Sequence, residues 1–233
     1  MNTIDNDKVI IFSYPRAGTK LIAKILADNN YHNYSEWYDT WTSTVDVATQ
    51  TSRRLSRVEI ENNYSELDAS SRNYVHTKKI LERHALLDSK FTRSTITVWW
   101  ENLSMFPMLM NLHKDRTWIL PKRNSWDQLL SWYIVFVNKN PNGDIDSNPV
   151  QVSYHDFERL YWKLRNVTTI QDWIYNNYRA VTIDFDELIT GQSKEFGFEY
   201  SVDTDDQHDD LESMILNLKQ TRKWFEELNQ QQL

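Results

Sequence analysis

The sequence predicts an α/β fold in which a central, mostly parallel β-sheet is flanked by helices, within a single domain spanning residues 1–233. Three observations carry that expectation. Short apolar, β-rich runs alternate with longer stretches of helical periodicity, which is the signature of successive β-α-β units. The first run, Lys-Val-Ile-Ile-Phe-Ser-Tyr at residues 8–14, is almost continuously apolar, as a parallel strand covered on both faces must be. No Gly/Pro/Ser-rich linker divides the 233 residues, while 40% hydrophobic content and ten tryptophans supply enough material for one sizeable core.

Each element follows from local pattern. After the strand at 8–14 comes a loop with Pro15 and Gly18, and then Leu21, Ile22, Ile25 and Leu26 recur on one helical face that ends near Asn29 and Asn30. Residues 31–70 are polar with scattered aromatics, and Arg53, Arg54 and Arg57 give them a basic patch; they read as a loop-rich excursion carrying some helix. Further strands are expected at 74–78, 95–100, 117–121 and 180–185, separated by helical stretches at 104–114, 126–138 and 154–165. The acidic run 203–210 lacks the glycine that a calcium loop needs at its turn, so it reads as a solvated linker. A last helix is expected at about 209–229, packed on the sheet. No internal repeat is evident.

Composition excludes several classes of function. Residues 1–7 carry neither a basic n-region nor an apolar h-region, and no apolar run approaches a membrane span, so a cytoplasmic protein without a membrane partner is expected. With no cysteine there is no disulfide, no thiolate metal ligand and no cysteine nucleophile. A net charge of −7 argues against a nucleic-acid partner, because phosphate backbones demand a basic face. A local basic pocket for one small anion is compatible with that balance.

The loop after the first strand reads Tyr14-Pro15-Arg16-Ala17-Gly18-Thr19-Lys20. α/β proteins hold phosphates at this place, because the following helix presents unpaired N–H groups and the positive end of its dipole. Gly18 permits close backbone approach, Thr19 offers a hydroxyl, and Arg16 and Lys20 add positive charge. A tight turn with surface basic residues is the plainer alternative. A Walker A loop requires a further upstream glycine and a terminal Gly-Lys-Ser/Thr, whereas Phe12-Ser13 and Gly18-Thr19-Lys20 stand here, which disfavours an ordinary P-loop kinase.

The stretch from Pro15 to Leu21, placed after an apolar strand, resembles the 5′-phosphosulfate loop of the sulfotransferases that use 3′-phosphoadenosine 5′-phosphosulfate (PAPS). Those enzymes typically read Pro-Lys/Arg-Ser-Gly-Thr-Thr/Ser. The resemblance implies their P-loop-like fold, with likeness above all to small bacterial and viral carbohydrate sulfotransferases. It also implies that Arg16, Ala17, Gly18, Thr19, Lys20 and Leu21 bind the donor, with Arg16 reaching the transferring sulfuryl group and the departing phosphate. Ala17 replaces a serine, Lys20 replaces a hydroxyl residue, and Leu21 stands where some members stack a tryptophan on the adenine.

A second stretch, residues 118–133, is a strand that ends in basic residues and leads into a helix. It is similar to the family's 3′-phosphate motif: Arg123, Asn124, Asp127, Ser131 and Tyr133 fall in register, and Ser125 departs from a proline. Arginine grips a phosphate bidentately and a helical serine hydroxyl donates beside it. A surface arginine and a buried serine would be the bland reading of the same spacing. Residues 181–188 resemble a later structural turn of the family, and Arg222 and Lys223 are candidates for its carboxyl-terminal basic element.

The implied reaction is transfer of a sulfuryl group from PAPS to a hydroxyl or amine of a small-molecule or carbohydrate acceptor. Adenosine 3′,5′-bisphosphate is left, and no metal is expected. Arg16 is the candidate on the leaving-group side. For the base that takes the acceptor's proton, Glu36 stands beside Trp37 and Tyr38 in a Glu-aromatic pair similar to that of bacterial members; His76, read as a strand histidine, competes, and Glu101 is third. His84 and His113 read as surface residues. Trp37, Tyr38, Trp41, Trp99 and Trp100 are candidates to line an acceptor pocket, with core packing as the alternative. Two other functions stay open: a small-molecule or nucleotide kinase with a degenerate loop, and a catalytically inactive binder of PAPS or its bisphosphate product. The sequence leaves the acceptor and the oligomeric state undefined.

Overall fold

A computed structural model describes residue 4 and residues 6–34, 43–46, 50–56, 58–59, 69–87, 90–99, 106–138, 149–202 and 211–231. In chain order the elements are β1 (Lys8–Ser13), α1 (Thr19–Asp28), β2 (His32–Asn33), β3 (Ser43–Asp46), β4 (Thr51–Arg54), α2 (Ala69–Leu86), β5 (Ser94–Trp99) and α3 (Phe106–Leu112). They continue with β6 (Thr117–Lys122), α4 (Ser125–Asn138), α5 (Tyr154–Asn177), β7 (Ala180–Asp184), α6 (Phe185–Ile189), a 3-10 turn at Lys194–Phe196, and α7 (Leu218–Gln230).

Five strands form one sheet in the order β2-β5-β1-β6-β7, and every neighbouring pair is parallel. Strand alternation divides the core into two layers. Ile10, Phe12, Ile96, Val98, Trp118 and Leu120 face one way, against buried side chains such as Ile80 of α2, Leu109 of α3, Leu130 of α4 and Leu164 of α5. Val9, Ile11, Ile119, Val181 and Ile183 face the other way, against Ile22, Ala23, Ile25 and Leu26 of α1 and Leu188 of α6. Both faces of β1 are therefore dry, which is why its sequence is apolar throughout.

The connections follow one hand. From β1 the chain crosses to β2 by way of α1 on one face. From β2 to β5, β5 to β6 and β6 to β7 it moves in the opposite direction along the sheet, and α2 to α5 lie on the opposite face. Same-handed parallel crossovers require this reversal of face with direction. The chain thus leaves β1 towards one edge and leaves β6 towards the other, so β1 and β6 flank a topological switch point. At such a point the carboxyl ends of parallel strands leave a crevice for ligands. The pairing of β1 with its two neighbours is unequal here. β1 pairs with β5 along its whole length, from Lys8↔Ser94 to Ser13↔Trp99, but with β6 only from Val9↔Thr117 to Ile11↔Ile119. Beyond Ile11 the ladder between β1 and β6 stops.

Several expectations are corrected. Residues 74–78, read as a strand, lie inside α2. Their burial has helical period: His76, Ile80, Arg83 and Leu87 are buried, while Tyr74 is 70% exposed. The excursion at 31–70 contains strands that the sequence reading did not anticipate, the short edge strand β2 and an antiparallel pair of β3 with β4. Arg53 and Arg54, read there as part of a basic patch, belong to β4. The helix expected at 209–229 begins at Leu218; before it, Ile215 bridges Val150. His113 is not a surface residue but is 2% exposed, with its ring edge-on to His84 at 5.1 Å. Arg57, Glu36, Trp37, Tyr38, Trp41, Trp100, Glu101 and the run 203–210 lie outside the described residues, as do the side chains of Arg53, Arg54 and Trp99. No described helix is long and apolar enough to cross a membrane.

Candidate functional site

The loop after β1 is bent by two left-handed residues. Arg16 has φ 69° and Gly18 has φ 84°. Glycine tolerates this conformation freely, whereas a residue with a Cβ is destabilised there by roughly 1–2 kcal/mol. Gly18 is required on a second count. A Cβ added to it would lie 2.8 Å from Cδ2 of Phe185 and 3.2 Å from Cδ2 of Leu188, so the close approach at this glycine is to the start of α6. α1 begins directly after it, with Ile22 N donating to Gly18 O at 3.0 Å. No side chain caps this terminus and its first turn carries no acid. Its N–H groups and positive dipole end are therefore not neutralised by a carboxylate of that turn.

The second loop leaves β6 at Lys122 and enters α4 at Ser125. Asn124 fixes the helix start: Trp126 N donates to Asn124 Oδ1 at 2.9 Å and Gln128 N to Asn124 O at 2.9 Å. The capping side chain is thus that of Asn124, one residue before the helix opens at Ser125. Asp127 sits in the first turn, where the helix dipole favours it.

The two loops meet. Arg16 Nε donates to Ser131 Oγ at 2.9 Å, and Arg123 Nη1 donates to Arg16 O at 3.1 Å, although 115 and 107 residues separate the partners. The side-chain amide of Gln128 donates to Pro15 O at 2.8 Å and Tyr14 O at 3.3 Å. Ser131 and Gln128 are both buried, on successive turns of α4. The Arg123 guanidinium lies 4.4 Å from the centroid of the Phe185 ring, a cation–π contact. Burial draws the Arg123 pKa below its ordinary value; Asp127 opposes this, Arg16 adds to it, and Asp186 opposes it. Two guanidinium groups thus converge in a partly desolvated corner at the switch point, where an anion would relieve their mutual repulsion.

The remaining candidates divide. Ala17 and Thr19 are buried and Lys20 is exposed, while Leu21 packs partly buried against the α1 layer. Lys122 turns away from the corner to Asp172 on α5, at 3.7 Å. His76 occupies the buried face of α2. Tyr133, aligned with the second motif, accepts a hydrogen bond from Ser153 N at 2.7 Å and so anchors the start of α5. Arg222 is paired with Glu212 and lies 5.6 Å from the Trp126 ring centroid, and Lys223 pairs with Glu227 at 3.6 Å.

Three contributors were missed by sequence reasoning. Gln128 holds the first loop. Phe185 packs on Gly18 and under Arg123, joining both loops. Gln171, buried in α5, donates to Phe12 O at 3.0 Å and Pro121 O at 3.3 Å, bridging β1 and β6 beyond the end of their ladder. A signal for Gln171 does exist: it interrupts the apolar series Leu160, Leu164, Val167 and Ile174 on one helical face.

Comparison with known proteins follows from this geometry. No protein-family model matches the chain, and no curated protein matches it. Among solved structures, a sulfotransferase domain from the curacin biosynthetic pathway is similar over 82% of this chain and 69% of that one, with 12% identity and a TM-score of 0.39. Identity and score at that level assign neither family nor activity.

Proposed function

We propose that the chain is a sulfotransferase that moves a sulfuryl group from PAPS to a hydroxyl or amine acceptor, a small molecule or carbohydrate, and releases adenosine 3′,5′-bisphosphate. One observation carries this reading. The two stretches that resemble a 5′-phosphosulfate loop and a 3′-phosphate motif converge at the β1/β6 switch point through Arg16, Arg123 and Ser131. A donor with a phosphosulfate at one end of its ribose and a phosphate on the other needs two neighbouring cationic subsites, and adjacent arginines with a helix N-terminus supply that chemistry.

In the reaction, the acceptor oxygen or nitrogen bonds to sulfur in line with the departing 5′-phosphate oxygen, whose bond to sulfur breaks. The acceptor's proton passes to a base, for which Glu36, His76 and Glu101 are the candidates by sequence. Arg16 neutralises charge on the leaving side. Positioning and electrostatics supply most of such catalysis, as they do in phosphoryl transfer. A binding protein without turnover is the second reading, favoured by Ala17 and Lys20, where the resembled loop carries hydroxyl residues.

Calorimetric titration tests the reading. Adenosine 3′,5′-bisphosphate should bind without magnesium and more tightly than ATP with magnesium. The opposite preference would replace the sulfotransferase by a kinase. Turnover with sulfur-labelled PAPS over a panel of sugars, phenols and amines then separates an enzyme from a binder.

A further inference from the structure

The left-handed Arg16 is gripped from three sides by one segment of the chain. Gln128 holds the carbonyls of Tyr14 and Pro15 immediately before it, Arg123 holds its own carbonyl, and Ser131 holds its side chain. A strained backbone of this kind persists only where its surroundings over-determine it. In a trans peptide the N–H points opposite the C=O. Fixing the Pro15 carbonyl therefore fixes the direction of the Arg16 N–H, and fixing the Arg16 carbonyl fixes that of Ala17. Left-handed residues at Arg16 and Gly18 are of the type that curls successive N–H groups into an anion-binding concavity.

Arg123 and Ser131 have their own candidate work on a phosphate. Gln128 does not: it is 4% exposed, its side-chain amide donates to the loop carbonyls of Tyr14 and Pro15, and it carries no charge to offer a ligand. We propose that Gln128 is a positioning residue, which sets the orientation of the loop Tyr14–Thr19 so that its N–H groups receive the donor's 5′-phosphate end. The choice of nucleotide probes rests on the sulfotransferase reading; the assignment of Gln128 to the loop does not.

The test compares the wild-type chain with Gln128→Met, which keeps the length of the buried side chain and removes its donors. Hydrogen exchange in the ligand-free protein should be about tenfold faster at the amides of residues 16–19, with β1 and α4 unchanged. Affinity for adenosine 5′-phosphate and adenosine 3′,5′-bisphosphate should fall about tenfold, while adenosine 3′-phosphate should change by less than about twofold. A merely structural role would weaken all three ligands alike, and Gln171→Met, which also removes a buried two-carbonyl bridge, reports that pattern as the control.

Unchanged loop exchange, or equal losses for the three ligands, would overturn the proposal. If the wild-type chain binds no adenosine nucleotide, the donor reading falls and the exchange measurement alone decides on Gln128. Should Gln128→Met not fold, Gln128→Asn serves in its place, since its amide is one methylene too short to reach both carbonyls.

Discussion

Histidine 113 shows how far one residue's environment departs from its sequence context. It follows Leu112 and precedes Lys114, yet it is buried, with Arg116 nearby and His84 edge-on to its ring. Burial first, then the positive charge of Arg116 and the neighbouring His84, push its pKa down from 6.5 to about 2. The unfolded chain therefore binds a proton at this site between those values and the folded chain does not. Stability is unaffected by this group above about pH 6.5 and falls as the pH drops through the window towards 2, by up to ~1.4 kcal/mol per unit. Urea unfolding from pH 7 to pH 4 should show this slope, and His113→Leu should flatten it. An identical slope in the variant would assign the acid sensitivity to other groups. At the same scale, Gln128 was illegible in the sequence because its partners are backbone carbonyls, and the polar break in an apolar helical face marks Gln171 as buried without naming the carbonyls it holds. Arg123 and Ser131 stood out as candidates by residue type and spacing, and the structure brings both to Arg16.

Helix α4 is the element on which the site depends, since Gln128 and Ser131 lie on it and Arg123 immediately precedes it. Its amino terminus is held by Asn124 through the bond from Trp126 N. Asn124→Ala should cost about 1 kcal/mol of stability, the usual loss for an amide cap, measured by thermal or urea unfolding. A neutral result would mean that packing of Leu129, Leu130 and Ile134 fixes the helix start unaided. Elements differed in how well the sequence displayed them. β1 was readable because a strand buried on both faces is apolar nearly throughout, and β5, β6 and β7 because each is a short run rich in β-branched or aromatic residues. The segment 74–78 was misread because five residues rich in β-branched and aromatic types do not distinguish a strand from part of a helix. Only the longer series His76, Ile80, Arg83, Leu87 shows the 3.6-residue period. β3 and β4 were hidden for a different reason: each is four residues long and, among the described residues, pairs only with the other, so no alternating apolar face marks them.

For the whole molecule, strand order makes two distant stretches neighbours. β6 lies beside β1 although β2 to β5 come between them in the chain, and the β1/β6 ladder ends early enough to leave their carboxyl ends apart. Gln171 closes the base of that gap and Phe185 its side, so the loop after β1 and the Arg123 loop share one supporting frame. The alternation of strands and helices made this layering readable in the sequence, but contact between Arg16 and Arg123 depended on strand order, which alternation alone does not specify. We propose that these two loops act as one site for adenosine 3′,5′-bisphosphate. A double-mutant cycle on its binding, using wild type, Arg16→Ala, Arg123→Ala and the double variant, tests that claim most directly. Each single change should weaken binding by roughly 2 kcal/mol, and the pair should fall short of additivity by at least about 1 kcal/mol, because Arg123 holds the backbone of Arg16 in place. Losses that add to within about 0.3 kcal/mol, or a wild-type chain that does not bind the bisphosphate, would contradict it.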